Sequence, residues 1–183
     1  DRLVQSAAEC DDSLMEKYFE DPDGVTVEEI IAAIRKGTIA MKLVPATCGS
    51  SYKDKGVQFL LDCIVRYLPS PLDIGAVKGT HAVTGKEEDL FADADKPFCG
   101  LVFKIATDPF VGRLAYVRAY SGTLASGSYV LNTRTGKKER VARLYQMHSN
   151  HQNPIDALEA GDIGAVVGFK DLRTGDTICD DRH

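Results

Sequence analysis

At 183 residues the chain has room for one large or two small domains, and 22 Lys+Arg against 27 Asp+Glu give a formal net charge of −5. The charge is uneven: residues 1–97 hold 11 basic against 18 acidic side chains and residues 98–183 hold 11 against 9, so the first half is a poor candidate for a nucleic-acid surface and the second a tolerable one. Cys10, Cys48, Cys63, Cys99 and Cys179 show no CxxC spacing, which argues against a disulfide framework or a zinc site and for small apolar fillers in a reducing compartment. No apolar run approaches the roughly 20 residues of a membrane helix and no signal peptide opens the chain, so a soluble, cytosolic protein is expected.

In chain order, Asp1-Arg2-Leu3-Val4 enters a helical pattern with neither an initiator Met nor a cap, and the chain reads as a piece of a longer protein. Leu3, Val4, Ala7, Ala8, Leu14, Met15, Tyr18 and Phe19 recur at helical spacing and predict a helix or helix pair that ends at Asp21-Pro22-Asp23-Gly24. Thr26 and Glu29 form a capping box that starts the next helix, Ile30, Ile31 and Ile34 supply its buried face, and Gly37 is placed as its C′ residue. Ile39, Met41 and Leu43 then alternate and predict a strand running to Pro45. It feeds a Gly/Ser loop, Ala46 to Gly56, and a third helix with Val57, Leu60, Leu61, Ile64 and Leu68 on one face. Strand, loop and helix make an α/β unit, in which ligands gather where the strand ends and the helix begins.

From Pro69 to Pro97 the prolines, glycines and the acidic residues Glu87, Glu88, Asp89, Asp93 and Asp95 read as an inter-domain connection with a turn or exposed ribbon; no EF-hand spacing is present. From Phe98 onward apolar and polar residues alternate with period two: Leu101, Phe103 and Ile105, then Leu114 and Tyr116 with Val117 and Ala119 on the opposite face. Turn pairs such as Asp108-Pro109, Ser121-Gly122, Ser126-Gly127, Thr135-Gly136, Ala160-Gly161 and Thr174-Gly175 punctuate the run, which predicts a small closed β-barrel. No catalytic constellation is visible in it. His148, His151 and Asp156 are a weak metal sketch read as surface groups, and Ser121, Ser126 and Ser128 have no base at a predictable distance. The run Arg134, Lys137, Lys138, Arg140 and Arg143, adjoined by His148 and Asn150 and with Tyr129 or Tyr145 as a stacking face, is the candidate phosphate-facing rim. A solvated hairpin is the alternative.

Two sets of motifs carry a family resemblance. Phe103-Lys104-Ile105, Asp108-Pro109-Phe110-Val111-Gly112, Tyr120 to Gly127, Gly136 to His148, Ala160 to Ile163 and Thr174 to Thr177 resemble the second domain of translational GTPases, most closely of the elongation factor G kind. Cys48-Gly49-Ser50-Ser51-Tyr52-Lys53-Asp54-Lys55-Gly56 resembles the guanine-recognition loop of the same family, with Ser51 where the family usually has Ala. The resemblance implies an α/β fragment (the C-terminal part of a P-loop GTPase domain, residues 1–72), a connection (73–97) and an all-β barrel (98–183). It implies that Gly49, Ser50 and Ser51 line a guanine base, the Ser51 N–H donating to the purine carbonyl, and that the barrel docks on small-subunit ribosomal RNA. Arg134, Lys137, Lys138 and Arg140 are offered for that contact.

The parent would be a ribosome-dependent GTPase using GTP and Mg2+ to move tRNA and mRNA. The phosphate loop, switches and Asn-Lys-x-Asp clamp are not in these 183 residues, so no GTP or metal is expected bound to the chain and it is expected to be inactive alone. A paralogous ribosome-associated GTPase, of recycling, release-factor or ribosomal protection type, or a stand-alone RNA-binding barrel would share parts of this pattern. The barrel is expected to be the more stable half, because residues 1–68 lack most of the strands they would pack on.

Overall fold

A computed structural model describes residues 2–81, 84–109, 111–149 and 151–180. The chain divides into two compact units between Ile74 and Gly75. The first is helical: α1 (Arg2–Ala8), α2 (Asp12–Glu20), α3 (Val27–Ile39), α4 (Val57–Tyr67) and α5 (Pro71–Ile74), with 3₁₀ turns at Pro22–Gly24 and Ser51–Lys53. Asp11 caps α2, its carboxylate accepting from the Ser13 and Leu14 N–H groups at 3.1 and 3.3 Å, and Lys36 Nζ donates to the same side chain at 2.6 Å. The capping box of α3 forms as expected: Thr26 Oγ1 accepts from Glu29 N (3.3 Å) and Glu29 Oε2 from Thr26 N (2.8 Å). Ala7, Ala8, Leu14, Ala33 and Ile34 make the small core of this unit, with Met15, Tyr18, Ile30 and Tyr67 packed against it.

Two expectations fail at the end of α3. Gly37 is buried inside the helix rather than placed at C′, and the helix runs on to Ile39. The stop is a Schellman arrangement four residues later: Met41 N donates to Thr38 O (3.0 Å) and Lys42 N to Gly37 O (2.8 Å), with Met41 itself in the left-handed region at φ 56°. The strand expected over Ile39, Met41 and Leu43 is therefore absent. Its physical reason is the missing partner: a strand satisfies its N–H and C=O groups on a neighbour, and no strand lies among the described residues of this unit.

The α4 helix forms, but its apolar face lies open, with Leu60, Leu61, Ile64 and Leu68 each 45–56% exposed and Cys63 its one buried residue.

The second unit opens with a ribbon, β1 (Val77–Thr80) paired with β2 (Glu87–Leu90), at the place where an exposed ribbon is expected. Ten strands follow: β3 (Cys99–Asp108), β4 (Gly112–Ser121), β5 (Thr123–Ala125), β6 (Tyr129–Asn132), β7 (Lys137–Arg140), β8 (Arg143–His148), β9 (His151–Ile155), β10 (Ala157–Glu159), β11 (Ile163–Val167) and β12 (Thr177–Cys179). Eight form one antiparallel sheet in the order β7-β6-β12-β3-β4-β11-β8-β9, and β5 pairs separately with β10.

Closure follows from the connectivity. In that order β7 stands at one end and β8 next to the other, yet Val141 and Ala142 alone separate them in sequence, so the sheet has to curl until its ends meet. The seam is hydrogen-bonded on both sides: Val141 N donates to Ser128 O (2.9 Å), Gly127 N to Val141 O (2.8 Å) and Ala142 N to Val167 O (2.9 Å). The expected barrel is thus a closed one.

Val102, Ala115, Val117, Ala119, Leu124, Val130, Val141, Leu144, Leu158, Val166, Leu172 and Ile178 fill the barrel interior with at most 3% exposure each. On β3 the alternation of Leu101, Phe103 and Ile105 does not hold as one face: Val102 is fully buried and Phe103 is 40% exposed, and the β3–β4 register slips between Val102 and Lys104. Such a bulge reverses the parity of the strand, so that Val102 and Ile105 both meet the core. On β4 both faces are used: Leu114 and Tyr116 join Tyr145 and Ala165 in a second cluster, while Ala115, Val117 and Ala119 face the barrel core. Gly122, at φ 69°, lets the segment ahead of β3 press on the β4–β5 corner: a side chain there would come within 2.5 Å of the Phe98 N, and its own N–H donates to Asp93 O at 2.9 Å.

Candidate functional site

Two places gather the residues singled out from the sequence, one in each unit. The first is the loop ahead of α4. Its arms are locked by a reciprocal backbone pair, Ser50 N to Lys55 O at 2.9 Å and Lys55 N to Ser50 O at 3.0 Å, with the Ser51–Lys53 turn between them. Asp54 (φ 50°) and Gly56 (φ 77°) turn the chain back into α4. Gly49 lies where the arms pass closest: a Cβ there would sit 2.8 Å from the Lys55 carbonyl oxygen. Gly49 and Ser51 are exposed, Ser50 is half-buried, and the neighbouring Tyr52 ring is 98% exposed. The result is a preformed tight turn that offers backbone and hydroxyl groups beside an aromatic ring, which suits a planar, hydrogen-bonding ligand. The strand expected to lead into it is absent, so the loop is held by its own backbone pairs and by α4.

The second place is the β6–β7 hairpin. Its register pairs Tyr129 with Arg140, Val130 with Glu139, Leu131 with Lys138 and Asn132 with Lys137. Strand alternation sends Val130 and Glu139 inward and puts Tyr129, Lys138 and Arg140 on the outer face. Lys137, Lys138 and Arg140 are all exposed, and Tyr129, 59% exposed, stands across the ladder from Arg140. Glu139 is 6% exposed and its carboxylate accepts from the Lys170 and Asp171 N–H groups at 2.9 and 3.1 Å.

Arg134 is placed differently from the other three cations. Its Nε donates to Asp176 Oδ1 at 2.7 Å and its Nη2 to Asp171 Oδ1 at 3.3 Å, so its charge is met within the barrel. Asp176, whose side chain is 4% exposed, also accepts from Asn132 Nδ2 (3.1 Å) and from the Arg173 N–H (2.9 Å). The Arg134 guanidinium, with help from the Arg173 N–H and Asn132, holds the Asp176 carboxyl below the usual carboxylate range; in return Asp176 holds the Arg134 pKa up. Asn132, fully buried, folds the turn by accepting from Arg134 N at 3.0 Å. Together Glu139, Asn132, Arg134 and Asp176 tie the hairpin to the 170–176 loop. This fixes how Lys137, Lys138 and Arg140 are presented.

Other candidates resolve plainly. Tyr145 is 6% exposed in the outer cluster and offers no stacking face. His148 and His151 face each other at the end of the β8–β9 ladder, and among the described residues no group of three metal-ligating side chains comes together. Ser121 Oγ donates to Pro97 O (2.9 Å) and Ser128 Oγ to Ala125 O (2.7 Å), which are turn-holding roles. Asn150 and Phe110 lie outside the described residues. No helix among the described residues is long and apolar enough to cross a membrane. Sequence reasoning missed the Asp176 clamp altogether, since its side-chain partners Arg134 and Asn132 are 42 and 44 positions away and share no local pattern with it.

Comparison with known proteins bears on both places. Residues 97–181 match the family model of elongation factor G domain 2. Over 182 residues, all of this chain and 26% of the relative, the sequence is 58% identical to elongation factor G of Amoebophilus asiaticus. It is 56% identical over 183 residues to that of Cytophaga hutchinsonii and 55% over 181 residues to that of Karelsulcia muelleri, in each case 26% of the relative. A crystal structure from Thermus thermophilus aligns with a TM-score of 0.71 at 28% identity, covering 97% of this chain and 24% of that one. The chain therefore spans about a quarter of the length of the relatives it matches.

Proposed function

Residues 97–181 match the family model of elongation factor G domain 2, and from this premise we propose that the chain serves in a translation elongation factor that moves tRNA and mRNA on the ribosome with GTP hydrolysis. In this reading residues 1–72 are the closing part of a GTPase domain, 73–97 the connection and 98–183 the ribosome-docking barrel, working in the cytosol alongside the remaining domains of the parent. The observation that carries it is the succession, in one chain 55–58% identical to elongation factors G along its whole length, of a preformed Gly49-Ser50-Ser51 loop and a barrel with a braced basic hairpin.

Gly49, Ser50 and Ser51 would take the guanine of GTP, whose Mg2+ and phosphates are held by parts of the parent outside these residues. The tight turn supports this role because it leaves no room for a Cβ at position 49 and displays small polar groups at 50 and 51. Lys137, Lys138 and Arg140 would meet small-subunit RNA phosphates. Arg134 acts behind them as a positioning residue through Asp176.

The test is binding of the chain to purified small ribosomal subunits across a salt series. Lys137→Glu, Lys138→Glu and Arg140→Glu combined should weaken binding at least tenfold and make the salt dependence shallower, by about one in logarithmic slope for each phosphate no longer neutralised. Unchanged affinity and slope in a folded triple variant would remove the hairpin from the interface.

A further inference from the structure

Between the β1–β2 ribbon and the barrel lies a cavity of about 730 Å³, and its wall includes both Cys99 and Cys179. These two cysteines are directly opposite each other, because β12 and β3 pair antiparallel with Cys179 in register with Cys99. The flanking bonds define the kind of pair. Asp180 N donates to Phe98 O and Val102 N to Asp176 O, each at 2.9 Å, so 98/180 and 102/176 are the hydrogen-bonded positions and 99/179 falls between them. At a non-hydrogen-bonded antiparallel position the Cα atoms stand about 4.5 Å apart with side chains on the same face. A disulfide requires Cα atoms about 4.4–6.8 Å apart. Both residues are thiols of intermediate exposure. The other cysteines, Cys10, Cys48 and Cys63, are on no strand.

We propose that Cys99 and Cys179 are a reversible oxidation site, joined as a cross-strand disulfide by two-electron oxidants of the peroxide class that enter through the ribbon-side cavity. Cys179 deprotonates and its sulfur attacks one peroxide oxygen; the O–O bond breaks, hydroxide leaves and is protonated to water, and the sulfur becomes a sulfenic acid. The Cys99 sulfur then displaces the sulfenic hydroxyl, which departs as a second water as the S–S bond forms. Two thiols and one hydrogen peroxide give one disulfide and two waters, with two electrons passing from sulfur to oxygen. Cys99 takes the second step because burial, with Cys179 and Glu88 adding to it, pushes its pKa up to about 11 and disfavours its thiolate as the first nucleophile. Thiol reductants reverse the reaction by exchange. The site rests on the ladder register and the cavity beside it and is independent of the translation reading.

The experiment treats the whole 183-residue chain, folded, with hydrogen peroxide, blocks remaining thiols with N-ethylmaleimide and maps the peptides by mass spectrometry. The expected product is a linked pair of peptides containing Cys99 and Cys179, lighter by two hydrogens than the reduced pair, restored by dithiothreitol and at least tenfold more abundant than any other linkage. A Cys48→Ser variant should give the same product in the same yield. Linkage through Cys48 in equal or greater amount would overturn the proposal. So would recovery of both Cys99 and Cys179 as separate alkylated or over-oxidised residues. The decisive mapping is on the unaltered chain, so it does not depend on a Cys99→Ser or Cys179→Ser variant folding.

Discussion

Replacing Asp176 by Ala should destabilise the barrel more than any exposed charge in it. The carboxylate is 4% exposed and accepts from Arg134 Nε (2.7 Å), Asn132 Nδ2 (3.1 Å) and Arg173 N (2.9 Å). Without it the Arg134 head, 36% exposed, turns to water and contributes little, and Asn132 Nδ2 keeps the Asp171 carbonyl at 3.0 Å. The Arg173 N–H and the turn it anchors are left without their acceptor. An orphaned donor costs about 1–3 kcal/mol and the lost charge-assisted bonds add a similar amount less solvation, so the expected loss is about 3 kcal/mol. With a urea slope of roughly 1.5 kcal/mol/M for a domain of this size, the midpoint should fall by about 2 M. Urea-dependent hydrogen exchange read from peptides between residues 99 and 180 isolates the barrel from the helical unit. Asp176→Asn, which keeps an acceptor for Arg173, should lose about half as much. A midpoint shift for Asp176→Ala no larger than that for removing an exposed lysine such as Lys137 would refute the clamp.

The remaining expectations concern acid, the end of α3 and nucleotide. Because Asp176 has a depressed folded pKa, its stabilisation is fully present above the unfolded carboxylate's value of about 4 and is lost as pH falls through the lower folded one. Barrel exchange protection should fall below about pH 4 in the wild-type chain and less steeply in Asp176→Asn; parallel acid profiles would contradict this. Gly37→Ala should lower the melting temperature of the helical unit although alanine is the better helix former, since the new Cβ lies 2.5 Å from Cys10 Sγ and 2.9 Å from Leu43 Cδ2. Met41→Gly should raise it, relieving a left-handed residue that costs about 1 kcal/mol; opposite signs would show that α3 ends elsewhere. The isolated chain should show neither tight GTP binding nor phosphate release, which a malachite-green turnover assay would contradict by any rate abolished in a Gly49→Val control.

What was legible in the sequence was what neighbours in sequence decide. The Thr26–Glu29 box is a three-residue relation, and it formed as read. The α4 face was visible from spacing, and so was the barrel, whose turn residues recur within each hairpin. The end of α3 was misread because Ile39, Met41 and Leu43 alternate like a strand while Gly37 resembles a stop. Packing chose otherwise: Gly37 is needed where Cys10 and Leu43 press on the helix, and Leu43, just past the turn, packs on the core of this unit. On β3 the bulge at Phe103 shifts the parity of the strand so that Val102 and Ile105 both meet the core, which no count of period two reveals. In the basic hairpin all four cations looked alike on paper. Their separation into one braced arginine and three exposed side chains depends on Asp171 and Asp176, brought in by a loop some forty residues downstream.

Only Val141 and Ala142 join β7 to β8. The gap in the cylinder is spanned by covalent chain with no slack, so Val141 and Ala142 cannot take up their places until strands from both flanks have arrived. Closing the cylinder is then a late event that depends on pairings distant in sequence, such as β12 with β3, and such topologies fold slowly. Added length is absorbed at hairpin tips such as Gly136, where nothing crowds the backbone, whereas one extra residue between Arg140 and Arg143 would pull the staves apart.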